Sequence, residues 1–124
     1  MTLPTAFAAE LAAAEAAGLT GPELLPERLA RACAEVLRCD GTGLSMQFAP
    51  GRRLPLGASD DVATIAERLQ FTIGEGPCLE VQATGQAVLA VEDSIRARWP
   101  AFHDALVTHT PFRSIIGLPL SHSQ

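Results

Sequence analysis

Hydrophobic and polar positions change period repeatedly along this chain, and each change marks an element. In the Ala-rich run 5–17 (TAFAAELAAAEAA), strong helix formers accompany Leu3, Phe7 and Leu11 at a spacing of four. This predicts a helix with a narrow apolar stripe, stopped by Gly18. Gly21-Pro22 breaks the chain. From Pro26 to Leu37, Leu25, Leu29, Ala32, Cys33, Val36 and Leu37 follow the i, i+3, i+4, i+7 rule, and Glu27, Arg28, Arg31, Glu35 and Arg38 fill a solvated opposite face. The period then shortens to two. In TGLSMQF, Leu44, Met46 and Phe48 point one way and Gly43, Ser45 and Gln47 the other. A turn signal at Ala49-Pro50-Gly51-Arg52 precedes a return strand over 53–58, held to a sheet edge by Pro55, so the pair reads as a hairpin.

Beyond the hairpin, Ser59-Asp60-Asp61 is a capping signal for a helix over 61–69 with Val62, Ile65, Ala66 and Leu69 on its apolar face. A glycine-rich turn and a further helix from Pro77 follow. AVLAVED, 87–93, has apolar residues on both faces and reads as a buried strand. Arg98-Trp99-Pro100 opens a helix with Trp99, Phe102, Leu106 and Val107 on its apolar side, ended by Pro111, and SIIGLPL, 114–120, is a last strand. The order α-α-β-β-α-α-β-α-β predicts an α+β protein, a sheet covered by helices.

Composition narrows the function classes. With 124 residues, 48% of them hydrophobic and 19% charged, the chain suits one folded domain that buries roughly two-thirds of its extended surface. The net charge is −5, and acidic residues outnumber basic ones in both halves, so a phosphate-binding surface for nucleic acid is not expected. All nine basic residues are Arg. Without Lys there is no P-loop lysine, Schiff base or lysine general base. No apolar run of about 18 residues is present, which argues against a membrane span. No positive charge precedes Arg28, and three cysteines lack CxxC spacing, so a cytoplasmic, reduced protein is expected.

The most informative chemistry lies in GEGPC, 74–78. Gly74 and Gly76 permit positive φ, and Pro77 starts a helix whose free N–H groups would favour an anion or a Cys78 thiolate. The same letters also describe a tight connector with Cys78 as a small core residue. Cys33 and Cys39, six apart, could act with Cys78 in redox chemistry if the fold brings two together. His103 and His109 do not share a helix face, make no metal set, and are expected at the surface. Met46, Phe71, Leu79, Val88, Trp99, Phe102 and Ile116 come from different elements and would line a pocket, or a core, if helices pack on one sheet face.

ERLQFTIGEGPCLEVQATGQAVLAVED, then RWPAF, then FRSIIGLPL, preceded by Arg38-Cys39-Asp40, resembles a GAF sensor domain. The likeness is greatest to the GAF domains ahead of ANTAR RNA-binding modules in actinobacterial regulators. It divides the chain into an N-terminal helix and linker (1–22, a candidate dimer seam), a partial GAF domain (23–120) and a tail (121–124). The resemblance implies a GAF-like antiparallel sheet flanked by helices, here lacking the family's last strands and helix. It also implies a sensor in intracellular signal transduction with a tendency to dimerise, without fixing the ligand. Taken with the residue reading, a non-enzymatic small-molecule-sensing homodimer is expected, with no cofactor or metal and no direct nucleic-acid or membrane contact. The implied ligand pocket comprises Met46, Phe71, Gly76, Cys78, Leu79, Val88, Trp99, Phe102 and Ile116. Two alternatives stay open: a reductase of the free methionine sulfoxide type using Cys78, and a pure dimerisation scaffold built on the Leu3, Phe7, Leu11 stripe.

Overall fold

The computed structural model describes residues 2–49 and 52–120, apart from the side chain of Phe48. The turn expected at Pro50 and Gly51, the direction of Phe48 and the tail 121–124 lie outside the described residues. Helices α1 (Leu3–Ala16), α2 (Leu25–Leu37), α3 (Asp61–Ile73), α4 (Pro77–Thr84), α5 (Glu92–Arg98) and α6 (Pro100–His109) accompany strands β1 (Gly43–Ala49), β2 (Arg52–Ala58), β3 (Val88–Ala90) and β4 (Ile115–Gly117). The protein is therefore α+β, as expected. Among the described residues β1 pairs antiparallel with β2, and β3 antiparallel with β4. The chain divides into two compact units, residues 1–67 and 68–124, with the boundary inside α3.

In the first unit α1 packs along α2, so residues 3–16 belong to the same body as α2 and the hairpin. Thr2 caps α1 by accepting the Thr5 N–H on its Oγ1 at 3.3 Å. The other end closes at Gly18, φ 104°, where Gly18 N–H donates to Glu15 O at 3.1 Å and Leu19 N–H to Ala14 O at 3.2 Å. That bond pair is a Schellman end, which satisfies carbonyls the helix leaves free. Small residues occupy the buried positions, Ala14 on α1 and Ala30 and Ala32 on α2. Leu25 and Leu37, expected on the core stripe of α2, are exposed. Leu29, Cys33 and Val36 of that stripe are half-buried.

Burial on the hairpin departs in part from the expected pattern, although Leu44 is half-buried and Gln47 exposed as that pattern requires. Met46 is 46% exposed, and Leu54 and Leu56 are exposed with it, whereas Arg53, on β2, is only 8% exposed. Arg53 Nε donates to Ser45 Oγ at 2.8 Å, and its Nη2 pairs with the Glu67 carboxylate on α3. Gly43 leaves space for that carboxylate: a Cβ there would lie 2.8 Å from Glu67 Oε2. Helix α3 follows the same logic. It runs one turn past the expected end, to Ile73, and buries Ala63, Glu67 and Gln70, while Ile65 of the expected apolar face is exposed. Asp60 caps it as expected, its Oδ1 accepting the Ala63 N–H at 2.8 Å.

The second unit is built around Ile95, Phe102, Leu106 and Pro77, all fully buried, joined by Val81, Val88, Ala90 and Trp99. Strand β3 is half-buried, not buried on both faces: Val88 and Ala90 face in and Leu89 is 73% exposed. The expected strand 87–93 stops early because Glu92 and Asp93 open a helix, α5, which ends on Arg96 and Arg98. Acids at the start and bases at the end complement the helix dipole. Strand β4 is likewise shorter than 114–120. Its Gly117 lies against α4, where a Cβ would sit 2.6 Å from Val81 Cγ2.

Candidate functional site

The GEGPC turn is positioned by α3 and opens α4. Gly74 has φ 81° and Gly76 φ 146°, and the Gly74 N–H closes α3 by donating to Gln70 O at 2.9 Å. Gln70, 2% exposed, reaches across the turn, and its Oε1 accepts the Cys78 N–H at 2.9 Å. A Cβ on Gly76 would lie 2.4 Å from that same Oε1, so the glycine is required for the clamp. One of the N–H groups that an anion or thiolate would use at this helix start, that of Cys78, is thus already taken by an amide from within the chain.

Glu75, between the two glycines, points to α6. Its Oε1 accepts the N–H groups of Ala101 at 3.0 Å and Phe102 at 3.1 Å, two donors that the first turn of a helix cannot satisfy itself. Glu80 on α4 pairs with Arg98, and the Arg98 guanidinium stacks on Trp99, 4.4 Å from the ring centroid. GEGPC and RWPAF are therefore parts of one interlocked connector, and the sequence reading missed the residues that join them, Gln70 and Glu75. The signal available was a polar residue four positions before the first glycine and an acid between glycines.

The nine pocket residues are not equivalent. Gly76 sits in the turn. Val88, Trp99 and Phe102 are core residues of the second unit, and Phe71, Cys78 and Leu79 are half-buried there. Ile116 is 64% exposed, because the two-residue period that turns Gly117 toward α4 turns its neighbour outward. Met46 lies on the exposed side of the hairpin in the first unit. The expected surface position of His103 is also corrected: it is buried, its Nε2 3.1 Å from Glu92 Oε2, and Glu92 has Arg96 and Arg113 as further partners. His109 is exposed.

A cleft that the sequence did not signal lies within the first unit. It is an open depression of about 370 Å³ between α1, α2 and the loops at Cys39–Asp40 and Ser59–Asp60. Alanines 13, 14, 17 and 34 form its walls; Glu10, Glu35, Asp40 and Asp60 supply carboxylates and Arg31 a guanidinium. Arg31 Nε donates to Ser59 O at 3.4 Å, which leads its side chain across the opening. Cys39, in its lining, is exposed; Cys33, on α2 and outside that lining, is half-buried. Burial pushes the Cys33 thiol above its ordinary range, and neighbouring Cys39 adds to the shift. Among the described residues no group of three or more His, Cys, Asp or Glu could hold a metal ion, and no helix is long and apolar enough to cross a membrane. Comparison with protein-family models, with curated proteins and with solved structures returned no match.

Proposed function

We propose that this chain is a cytoplasmic, non-enzymatic, small-molecule-sensing domain of the GAF type that works as a homodimer. The observation that carries the reading is the cleft of about 370 Å³ walled by α1 and α2, a volume within the range of small-ligand sites. Its lining suits a compact zwitterion: carboxylates from Glu10, Glu35 and Asp40 meet an amine, and Arg31 meets an acidic group. On this reading the ligand sits beside α1 rather than among the core residues Val88, Trp99 and Phe102. A ligand that binds better to one arrangement of α1 on α2 than to another shifts the population by that difference in affinity. Exposed Leu3 at the start of α1 then carries the change to a second copy.

Calorimetric titration of the full chain with a panel of amino acids and small amines tests the reading. Saturable heat that Arg31→Ala and Glu35→Gln each weaken by about tenfold or more, the loss of one charged contact, supports it. No saturable heat with any compound, or binding that both variants leave unchanged, overturns it.

A further inference from the structure

Helix α2 ends in a backbone reversal that turns Cys39 back toward the last turns of the helix, where Cys33 lies. The chain leaves helical geometry at Arg38, φ 54° and ψ 43°, the one non-glycine among the described residues with positive φ. The reversal returns Cys39 to the last turn, where its N–H donates to Ala34 O at 3.2 Å, and the Arg38 N–H donates to the same carbonyl. The Cys39 thiol donates to Gly41 O at 3.6 Å, and its N–H makes the long bond of a Schellman end, in which the side chain just beyond the left-handed residue commonly lies near helix positions five and six back. Those positions are Ala34 and Cys33. Independently, Cys39 is one of the two causes that raise the Cys33 thiol, an influence that requires proximity. Both cysteines are free, Cys39 exposed and Cys33 half-buried.

We propose that Cys33 and Cys39 form an oxidisable dithiol, closed to an intramolecular disulfide by hydrogen peroxide. Cys39, the accessible member, attacks first: its thiolate sulfur takes one peroxide oxygen, the O–O bond breaks, and the departing hydroxide is protonated to water. Cys33 then attacks the sulfenic sulfur of Cys39; the S–S bond forms, the S–O bond breaks, and a second water leaves with the two remaining protons. Two thiols and one peroxide become one disulfide and two waters. The link acts on a segment with structural consequences. Cys39 and Asp40 line the cleft, and Thr42 ties the same loop to α2 through Ala30 O and to the end of the hairpin through Ser59 Oγ, which accepts the Thr42 N–H at 3.0 Å. The reaction uses neither Cys78 nor ligand binding in the cleft.

Treatment of the full chain with stoichiometric peroxide tests this without any variant. The expected result is a mass loss of about 2 Da, the two hydrogens of disulfide closure, with two of the three thiols gone. Trypsin cleaves after Arg31, Arg38 and Arg52, so peptides 32–38 and 39–52 should emerge joined and separate on reduction. A second arm uses Cys33→Ser, in which Cys39 should stop at sulfenic acid and be trapped by dimedone, and Cys78→Ser, which should still close. Joined peptides involving Cys78, covalent dimers in place of the internal link, or Cys39 carried to sulfinic acid while wild-type Cys33 stays free would each overturn the proposal.

Discussion

Glu75 holds Phe102 in place through the backbone: its Oε1 accepts the Phe102 N–H at 3.1 Å, capping α6 from a turn 27 positions earlier. Phe102 is fully buried at the centre of the second unit, so the cap fixes both the start of α6 and the depth of its largest side chain. Glu75→Ala should lower stability by about 1 kcal/mol, the usual loss for a capping acceptor, and Glu75→Gln by less because an acceptor remains. Urea unfolding of the three proteins checks the order, and an unchanged midpoint for the alanine variant would contradict it.

The two glycine-dependent ends of α4 should respond differently to alanine. Gly76 combines φ 146° with a Cβ position 2.4 Å from Gln70 Oε1, so Gly76→Ala should cost about 2 kcal/mol or more. Gly85, φ 70°, has nothing within 4 Å, and Gly85→Ala should cost only about 1 kcal/mol of backbone strain. Adding Gln70→Ala to Gly76→Ala should recover part of the larger loss, because the clash disappears while the strain stays. Thermal and urea midpoints across that double-mutant cycle provide the measurement.

The ion pair between Arg53 and Glu67 is buried, with side chains 3% and 10% exposed. Removing one partner leaves the other charge desolvated, so Glu67→Ala should destabilise by about 3–5 kcal/mol. Replacing both with apolar residues of similar volume, Arg53→Met with Glu67→Leu, should restore most of that loss. If the single variant costs under 1 kcal/mol, on the scale of an exposed pair, the pair does not hold the hairpin to α3.

Cys33 supplies a pH dependence with a definite sign. Its thiol is raised above the ordinary value of 9.0, by burial first and Cys39 second. The folded state therefore keeps this proton at a pH where the unfolded chain has released it. The associated stability is fully present below the unfolded value and falls as pH rises through the folded one. Between pH 8 and 10, wild-type protein should lose more stability than Cys33→Ala, as read from urea midpoints. Maleimide labelling at pH 8 should modify Cys39 before Cys33, and the reverse order would contradict the burial of Cys33.

The elements were largely legible in the chain, and their buried faces were not. The stop of α1 at Gly18 and the cap of α3 at Asp60 follow from interactions within a few residues, so local pattern suffices to place them, whereas the alternation expected of β1 is interrupted by two register shifts against β2. Helix α5 escaped because its four-letter approach, VLAV, reads as strand until Glu92 and Asp93 are recognised as a helix start. Leu89 and Ile116, cross-strand partners in β3 and β4, read as core residues yet both face outward. The connector role of GEGPC was open in the sequence; that Gln70 and Glu75 complete it was not, because their partners lie 8 and 26 or 27 positions away.

Local chemistry by itself determined that this chain makes helices and short antiparallel strands, where most of them start and stop, and that no lysine chemistry operates in it. Tertiary structure alone decided which side of each element turns inward. Arg53, Glu67 and Gln70 are polar and would be assigned to solvent, but each finds a partner that offsets the loss of water, and Met46 and Leu54 are left outside as a result. Hydrophobic pattern measures what a residue gains when buried alone; the fold also counts what it gains when buried together with its complement.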